Sequence, residues 1–268
     1  YTNIMTNKSI THIITILWGT VYKDEDVNRL FSMIQRNTTK EIRFHLFSNE
    51  PLPNLDSRIT HHPEPELNIG FDHSKYNYRK TVGLCEDNLA ELKGQRVFFF
   101  DLDVLIMDNL DALFDYPKGD QFYIINDWNS KGKTVGQATC YSFVVGTLGY
   151  IRSHFIKNAE KVIDQFGTAT QQYLSSQIIH KEGSLTFWPD QWFQSFRFHC
   201  LPFFLFRHYQ VPKKPKATTK VLAFHGHPDI RDALAGRWSP PNLKKSARGW
   251  KKIYKACKQT PWINDYWY

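Results

Sequence analysis

"VFFFDLDVLIMDNLDALF", residues 97–114, is the stretch that decides the fold. A valine and three phenylalanines run into Asp101, one leucine separates it from Asp103, and the chain turns apolar again. The apolar run over 96–101 reads as a buried strand. In extended backbone, residues i and i+2 point to the same side, so Asp101 and Asp103 would present their carboxylates together just past the carboxyl end of that strand. In an open α/β sheet this edge is where ligands bind. Two neighbouring carboxylates repel, and they are stable only around a cation or with one of them protonated. Hard oxygen ligands suit Mg²⁺ or Mn²⁺, ions that commonly bridge to substrate phosphates. The apolar flanks raise the stakes, because an unneutralised charge among them costs several kcal/mol.

Working outward, "THIITILWG" (11–19) is β-branched and apolar and ends in glycine, the pattern of a buried strand. "DEDVNRLFSMIQRN" (24–37) opens on acids and sets Val27, Leu30, Phe31 and Ile34 at helical spacing. "IRFHLFS" (42–48) alternates like a strand, and "ITHHPEPELNIG" (59–70) reads as a short strand leading into a proline-broken loop. Residues 78–93 read as a helix before the 96–101 strand. Strand and helix thus alternate through the first hundred residues, which predicts an α/β fold with a mostly parallel central sheet flanked by helices. Later, 121–128 and 140–146 read as strands, 150–182 as helical, and "VLAFHGHP" (221–228) as a strand ending in two histidines. The expected organisation is one catalytic domain over 1–240 and a basic, aromatic extension over 241–268.

The chain has 268 residues, of which 41% are hydrophobic, enough for one large core. Its longest apolar runs, "YSFVVGTLGYI" (141–151) and "LPFFLF" (201–206), are too short or too broken by Gly and Pro to be membrane helices. Cys85, Cys140, Cys200 and Cys257 lie far apart with no CxxC, which argues against a disulfide scaffold or zinc knuckle and for free thiols in a reducing cytoplasm. A formal charge of +8 favours polyanionic partners: nucleic acid, nucleotide phosphates or an anionic membrane face.

A third metal ligand should come from elsewhere in the chain. His225 stands at the end of the 221–228 strand, and a neutral imidazole ligates borderline metals such as Mn²⁺. His227 lies on the same side by alternation, and Gly226 between them would let backbone approach a phosphate closely.

Taken in order, "LWGTVYKDEDVNRLFSMI", "RFHLFSNEP", "YRKTVGL", "VFFFDLDVLIMDNLDALF", "FYIINDW", "FWPDQWFQSFRFHC" and "VLAFHGHP" resemble metal-dependent nucleotide-sugar glycosyltransferases of the GT-A fold. More narrowly, the pattern is similar to bacterial transferases of capsule and lipopolysaccharide loci, related to the family that contains glycogenin and the bacterial lipooligosaccharide galactosyltransferases. The likeness spans roughly residues 11–230.

It implies a Rossmann-like half that binds the nucleotide and a second half that shapes the acceptor site. Asp101 and Asp103 match the family's metal pair, with Leu102 between them at the donor. His225 matches the late histidine ligand, although it directly precedes Gly226 instead of standing three residues before a glycine, so His225 and His227 both remain open. The resemblance assigns Trp18, Gly19, Thr20 and Tyr22 to the uridine, and Arg79 or Lys80 to the diphosphate. Asp127 in "NDW" falls where relatives contact sugar or acceptor. An Asp-Gln pair common among relatives is reduced here to Ser176-Gln177, leaving Gln177 without its acid and Asp190 in "WPDQW" as a spatial substitute.

The implied reaction moves a hexose, with galactose or glucose from UDP the leading donors, onto a surface glycan or a lipid-linked acceptor, with Mn²⁺ or Mg²⁺ as cofactor and retention of configuration as the expected outcome. Lys and Arg interleaved with Trp and Tyr over 243–268 predict peripheral attachment to the inner face of the plasma membrane. The competing readings are a metal-dependent nuclease or nucleotidyltransferase, and a sugar- or RNA-binding module. The first should gather further acids around a second metal, whereas Asp108 and Asp111 fit a helix cap better. The second should place its aromatics on an exposed platform rather than in strands. No nucleic-acid partner is expected.

Overall fold

In this computed structural model, residues 10–70, 76–130, 134–240 and 254–268 are described. β1 (Thr11–Ile16) is buried along its whole length and lies in the interior of the sheet. Its alternation splits the core in two: Ile13 faces one side with Leu30, Phe31 and Phe98, while Ile14 and Ile16 face the other with Tyr78, Phe99 and Phe155. α1 (Asp24–Arg36) covers the first side with Val27, Leu30, Phe31 and Ile34. Asp26 accepts a hydrogen bond from the Lys23 amide at 3.0 Å, closing the first helical turn.

β2 (Ile42–Phe47) and β3 (Ile59–His62) extend the sheet from β1, both in parallel pairings. The expected helix over 78–93 does not form. Only α2 (Tyr78–Thr81) is α-helical, followed by two single 3₁₀ turns. Ala90 and Glu91 take φ of 49° and 60°, and the Asp87 side chain packs so closely on Gly149 that a Cβ there would lie 1.9 Å from it. Tertiary packing thus overrides a helical pattern of weak intrinsic preference.

β4 (Arg96–Phe100) pairs parallel to β1, on the side opposite β2. β5 (Val104–Ile106) and α3 (Asp111–Asp115) follow it. β6 (Tyr123–Asn126) and β7 (Gly136–Val144) form an antiparallel pair, and β7 is also antiparallel to β4. The helical stretch read over 150–182 is two helices, α4 (Gly149–Phe166) and α5 (Thr170–Glu182), divided at Gly167. β8 (Thr186–Phe187) closes the edge of the seven-stranded sheet, which runs β3-β2-β1-β4-β7-β6-β8 and is mostly parallel, as expected.

A second, three-stranded sheet was not legible in the sequence. β9 (Phe193–Ser195) and β10 (Val221–Ala223) run parallel, and β10 pairs antiparallel with β5. α6 (Ile230–Ala235) follows, N-capped by Asp229. All four cysteines are free and buried.

The described part of the expected C-terminal extension, 254–268, packs against the domain. Ile263 is fully buried and Cys257 nearly so. Arg36 donates to the carbonyls of Tyr266 and Tyr268, and Arg29 lies 4.5 Å from the Trp267 ring centroid. Residues 241–253, which carry much of that extension's basic charge, lie outside the described residues.

Candidate active site

The order β2-β1-β4 places the crevice where the chain reverses direction across the sheet, because β2 leaves β1 on one side and β4 enters on the other. Asp101 follows β4 directly, and residues 17–22 follow β1. Between them lies a cavity of about 200 Å³ lined by Trp18, Tyr22, Asn77, Lys80, Asp101, Leu102 and Asp103 among others. A second hollow of about 340 Å³, lined by Gly19, Thr20 and Glu50, adjoins it across Leu17 and Tyr22. The resemblance-derived set after β1 is therefore divided: Trp18 walls the inner cavity, Gly19 and Thr20 the outer hollow, and Tyr22 both. Leu102 is 6% exposed and belongs to the core as well as to the cavity wall.

Lys80 and Arg79 are separated by their partners. The Lys80 ammonium reaches Asp101 Oδ2 at 2.5 Å, while Arg79 turns to Glu64 at 3.0 Å. Lys80 is thus the basic group at the acidic corner. Asp103 Oδ1 is buried with no hydrogen-bond partner among the described residues. Burial pushes the Asp103 carboxyl up to about 8; Asp101 adds to the rise, Lys80 opposes it, and Asp229 adds a smaller push. Asp101 is also raised by burial, against the pull of Lys80. Burial, with the nearby carboxylates of Asp103, Asp101, Asp229 and Asp26, raises the Tyr22 phenol as well, so that it stays protonated and can donate a hydrogen bond.

The small sheet brings the second motif to this corner. The β5–β10 register sets Ala223 opposite Val104, and the Phe224 amide donates to the Asp103 carbonyl at 2.9 Å. The chain therefore enters His225, Gly226 and His227 directly beside the acidic pair. His225 Nε2 lies 2.7 Å from Ser195 Oγ, and its ring is stacked on Trp128 at 5.5 Å and 14°. Burial lowers the His225 imidazole, Arg197 lowers it further and Asp127 acts the other way, so it is held neutral. Gly226 has φ +76°, a left-handed backbone that glycine accepts without strain. His227 Nδ1 turns to Asp232 Oδ2 at 3.6 Å, and Arg237 holds the other oxygen of that carboxylate at 2.7 Å.

Asp127 is 7% exposed; its Oδ2 accepts from Ser130 at 2.6 Å and its Oδ1 has no partner among the described residues. Asp190 is exposed at the start of a 3₁₀ turn, and Gln177 is half-buried on α5. Among the described residues, no hydrogen bond, ion pair or ring contact ties either of them to the acidic corner. Asp111 does not cap α3 as expected: it is the first residue of the helix, its amide donates to Asn109 Oδ1, and its carboxylate accepts from the Thr38 and Thr39 hydroxyls after α1, a structural role away from the acidic corner.

The donor set fits a divalent cation in one respect and is incomplete in another. Two carboxylates converge at a wet edge, and the orphaned, buried Asp103 Oδ1 is an acceptor in want of positive charge. Among the described residues, however, no three His, Cys, Asp or Glu side chains are close enough to hold a metal together. Asp101, Asp103 and His225 are neighbours through the backbone without forming a closed ligand cage. Ser195, Trp128, Asn77 and Asp229 enter the site although the motif reading gave none of them a role. The one signal in the sequence was Asp229, two residues past His227 in "HGHPDI".

No protein-family model matches this chain, and no curated protein matches it by sequence. Solved structures do match its fold. An active-site variant of LgtC, a galactosyltransferase, superposes with a TM-score of 0.51 at 14% identity, covering 91% of this chain and 94% of LgtC. The glycosyltransferase GlyE of Streptococcus pneumoniae TIGR4 gives 0.54 at 12% identity over 96% of this chain, which spans only 63% of GlyE. Mouse xyloside xylosyltransferase 1 gives 0.51 at 12% identity, covering 81% of this chain and 98% of that enzyme. The chain has the mixed α/β architecture of GT-A glycosyltransferases.

Proposed function

We propose that this protein transfers a hexose from a nucleotide-sugar donor, UDP-linked in the leading case, to a glycan or lipid-linked acceptor, with retention of configuration. The observation that carries the reading is the corner formed by Asp101, Asp103 and Lys80, open to a cavity at the reversal point of a GT-A sheet. The cavity and its adjoining hollow offer one wall of aromatic and apolar groups and one of charge, which suits a nucleoside diphosphate.

In this reading Trp18 and Tyr22 hold the base and ribose, with the Tyr22 hydroxyl kept as a donor. Asp101 and Asp103 hold Mn²⁺ or Mg²⁺, with His225 or His227 as the histidine ligand. When bound, the ion supplies Lewis-acid stabilisation to the departing diphosphate. Lys80, paired with Asp101 in this structure, would add a second positive charge toward the diphosphate at that oxygen-rich corner. Gly226 lets the 225–227 backbone approach the phosphates. Asp127, with a free carboxylate oxygen near His225, lies on the acceptor side.

A panel of nucleotide sugars, each with Mn²⁺ and with Mg²⁺, tests this by thermal unfolding. One UDP-sugar should raise the melting temperature in the presence of metal, and Asp103→Ala should abolish the rise. Stabilisation by single-stranded nucleic acid, with none from any nucleotide sugar, would replace this reading with the nuclease one.

A further inference from the structure

The sequence placed the aromatic, membrane-facing surface in the C-terminal extension. In the described part of that extension, Trp262 donates to the Pro212 carbonyl at 2.8 Å, and Trp267 packs against Arg29 and Arg231. These rings are occupied. The large apolar side chains exposed side by side lie instead on residues 203–211: Phe203 is 62% exposed, Leu205 52%, Phe206 49% and Tyr209 77%, whereas Tyr268, 62% exposed at the end of the extension, carries the Arg36 guanidinium over its ring. Contiguous apolar exposure of this kind is rare on a surface that meets only water.

The segment is built, not loose. A 3₁₀ turn over Phe204–Phe206 is closed by Phe206 N donating to Phe203 O, and the base is tied by Lys213 N donating to Cys200 O at 3.0 Å. Arg207 turns inward, donating to the carbonyls of Pro202 and Tyr254. The side chains that point out are therefore held out by the backbone.

Charge selects the partner. No Asp or Glu occurs between Asp190 and Asp229, while Lys213, Lys214 and Lys216 stand exposed at the end of the segment. The acid facing them from the neighbouring segment is Asp265, paired with Lys214 at 3.0 Å. The aromatic surface also continues into the candidate site, since Phe198, 45% exposed, lies against His225 with ring centroids 5.5 Å apart.

We propose that the 203–211 segment seats this protein on an anionic bilayer surface, with Phe203, Leu205 and Phe206 entering the interfacial layer and Lys213 and Lys216 meeting lipid phosphates. Apolar insertion combined with basic anchoring is the pairing that gives reversible surface attachment. It would present the His225 side of the site to a substrate lying in the membrane plane. Among the described residues no helix is long and apolar enough to cross a membrane, and attachment of this kind requires none. The proposal is independent of the sugar-transfer reading, because seating on lipid requires no turnover.

The test is co-sedimentation of the full chain with vesicles of phosphatidylcholine alone and of phosphatidylcholine with roughly 30% phosphatidylglycerol, an anionic surface. The wild type should bind the anionic vesicles and be released by salt. The triple variant Phe203→Ser, Leu205→Ser, Phe206→Ser should lose at least about tenfold in partition. Lys213→Gln with Lys216→Gln should lose about fivefold per charge and flatten the salt dependence. Unchanged circular dichroism and melting temperature show that both variants fold, and the charge variant keeps the test open should the triple variant not. The proposal is overturned if the wild type ignores anionic vesicles or if both variants bind as the wild type does. It is equally overturned if light scattering shows a dimer that the triple variant dissolves, which would assign the patch to a second copy of the chain.

Discussion

Replacing Asp103 with asparagine should make the metal-free protein more stable. The Asp103 carboxyl is pushed up to about 8 in the folded chain, chiefly by burial and by Asp101, whereas an unfolded aspartate titrates near 4. The sign follows from proton counting. Between those two values the folded state binds more protons than the unfolded one, so stability falls as pH rises from about 4 to about 8. Were the whole shift realised, the cost at neutral pH would be about 4 kcal/mol. Asp103 is partly open to solvent and shares its field with the Asp101–Lys80 pair, so a gain of about 1–2 kcal/mol is the expected size for Asp103→Asn. For a chain of this length that is a rise of several degrees in melting temperature. The assay is thermal unfolding in a chelator at pH 5 and pH 8. The variant should gain more at pH 8 than at pH 5, and Mn²⁺ with UDP should stabilise the wild type but not the variant. A variant that melts lower than the wild type at pH 8 in chelator would show that Asp103 is a structural carboxylate, and the argument from an unneutralised pair would fail.

Three further outcomes are expected. His45 bridges His12 and His62 across β1, β2 and β3, with ring nitrogens 3.1 and 3.0 Å apart, and burial, with His62 and His12 beside it, lowers its imidazole to about 4. Its neutral form belongs to the folded state, so acidification from pH 7 to pH 5 should cost about 2 kcal/mol, and His45→Gln should flatten that slope in urea titrations. Lys80→Met should weaken nucleotide-sugar binding at least about tenfold by calorimetry while Arg79→Met leaves it near wild type, because only Lys80 faces the acidic corner. Trp267→Ala should destabilise the fold by about 2 kcal/mol in chemical denaturation, through lost packing on α1 and lost contact with Arg29, with no change in donor affinity.

The central sheet was legible because its strands carry their own signal. β1 is rich in β-branched residues and β4 is an apolar run, α1 has both periodicity and an acidic start, and a carboxylate pair closing a buried strand marks the ligand-binding edge of such a sheet. What escaped was decided at long range. β5 and β9 are three residues each, too short for any periodicity, and β10 is their equal; they become a sheet only when residues 104, 193 and 221 meet. That sheet is what carries His225 to Asp103, so the sequence named both motifs without showing the contact between them. The choice between Arg79 and Lys80 rested on Glu64, fifteen positions upstream of Arg79. The helix expected over 78–93 yielded to the packing of Asp87 on Gly149. The Trp and Tyr of the tail and the Leu and Phe of the 201–206 run are all large apolar side chains, and only the fold determines which of them are covered.

The most direct measurement is release of UDP from the best-stabilising UDP-sugar, followed with purified protein and Mn²⁺. The account predicts slow release from the wild type that accelerates with an acceptor sugar, and at least about a hundredfold loss in Asp101→Asn and in Asp103→Asn. Release that proceeds unchanged in both variants, or no consumption of any nucleotide sugar with either ion, would contradict it.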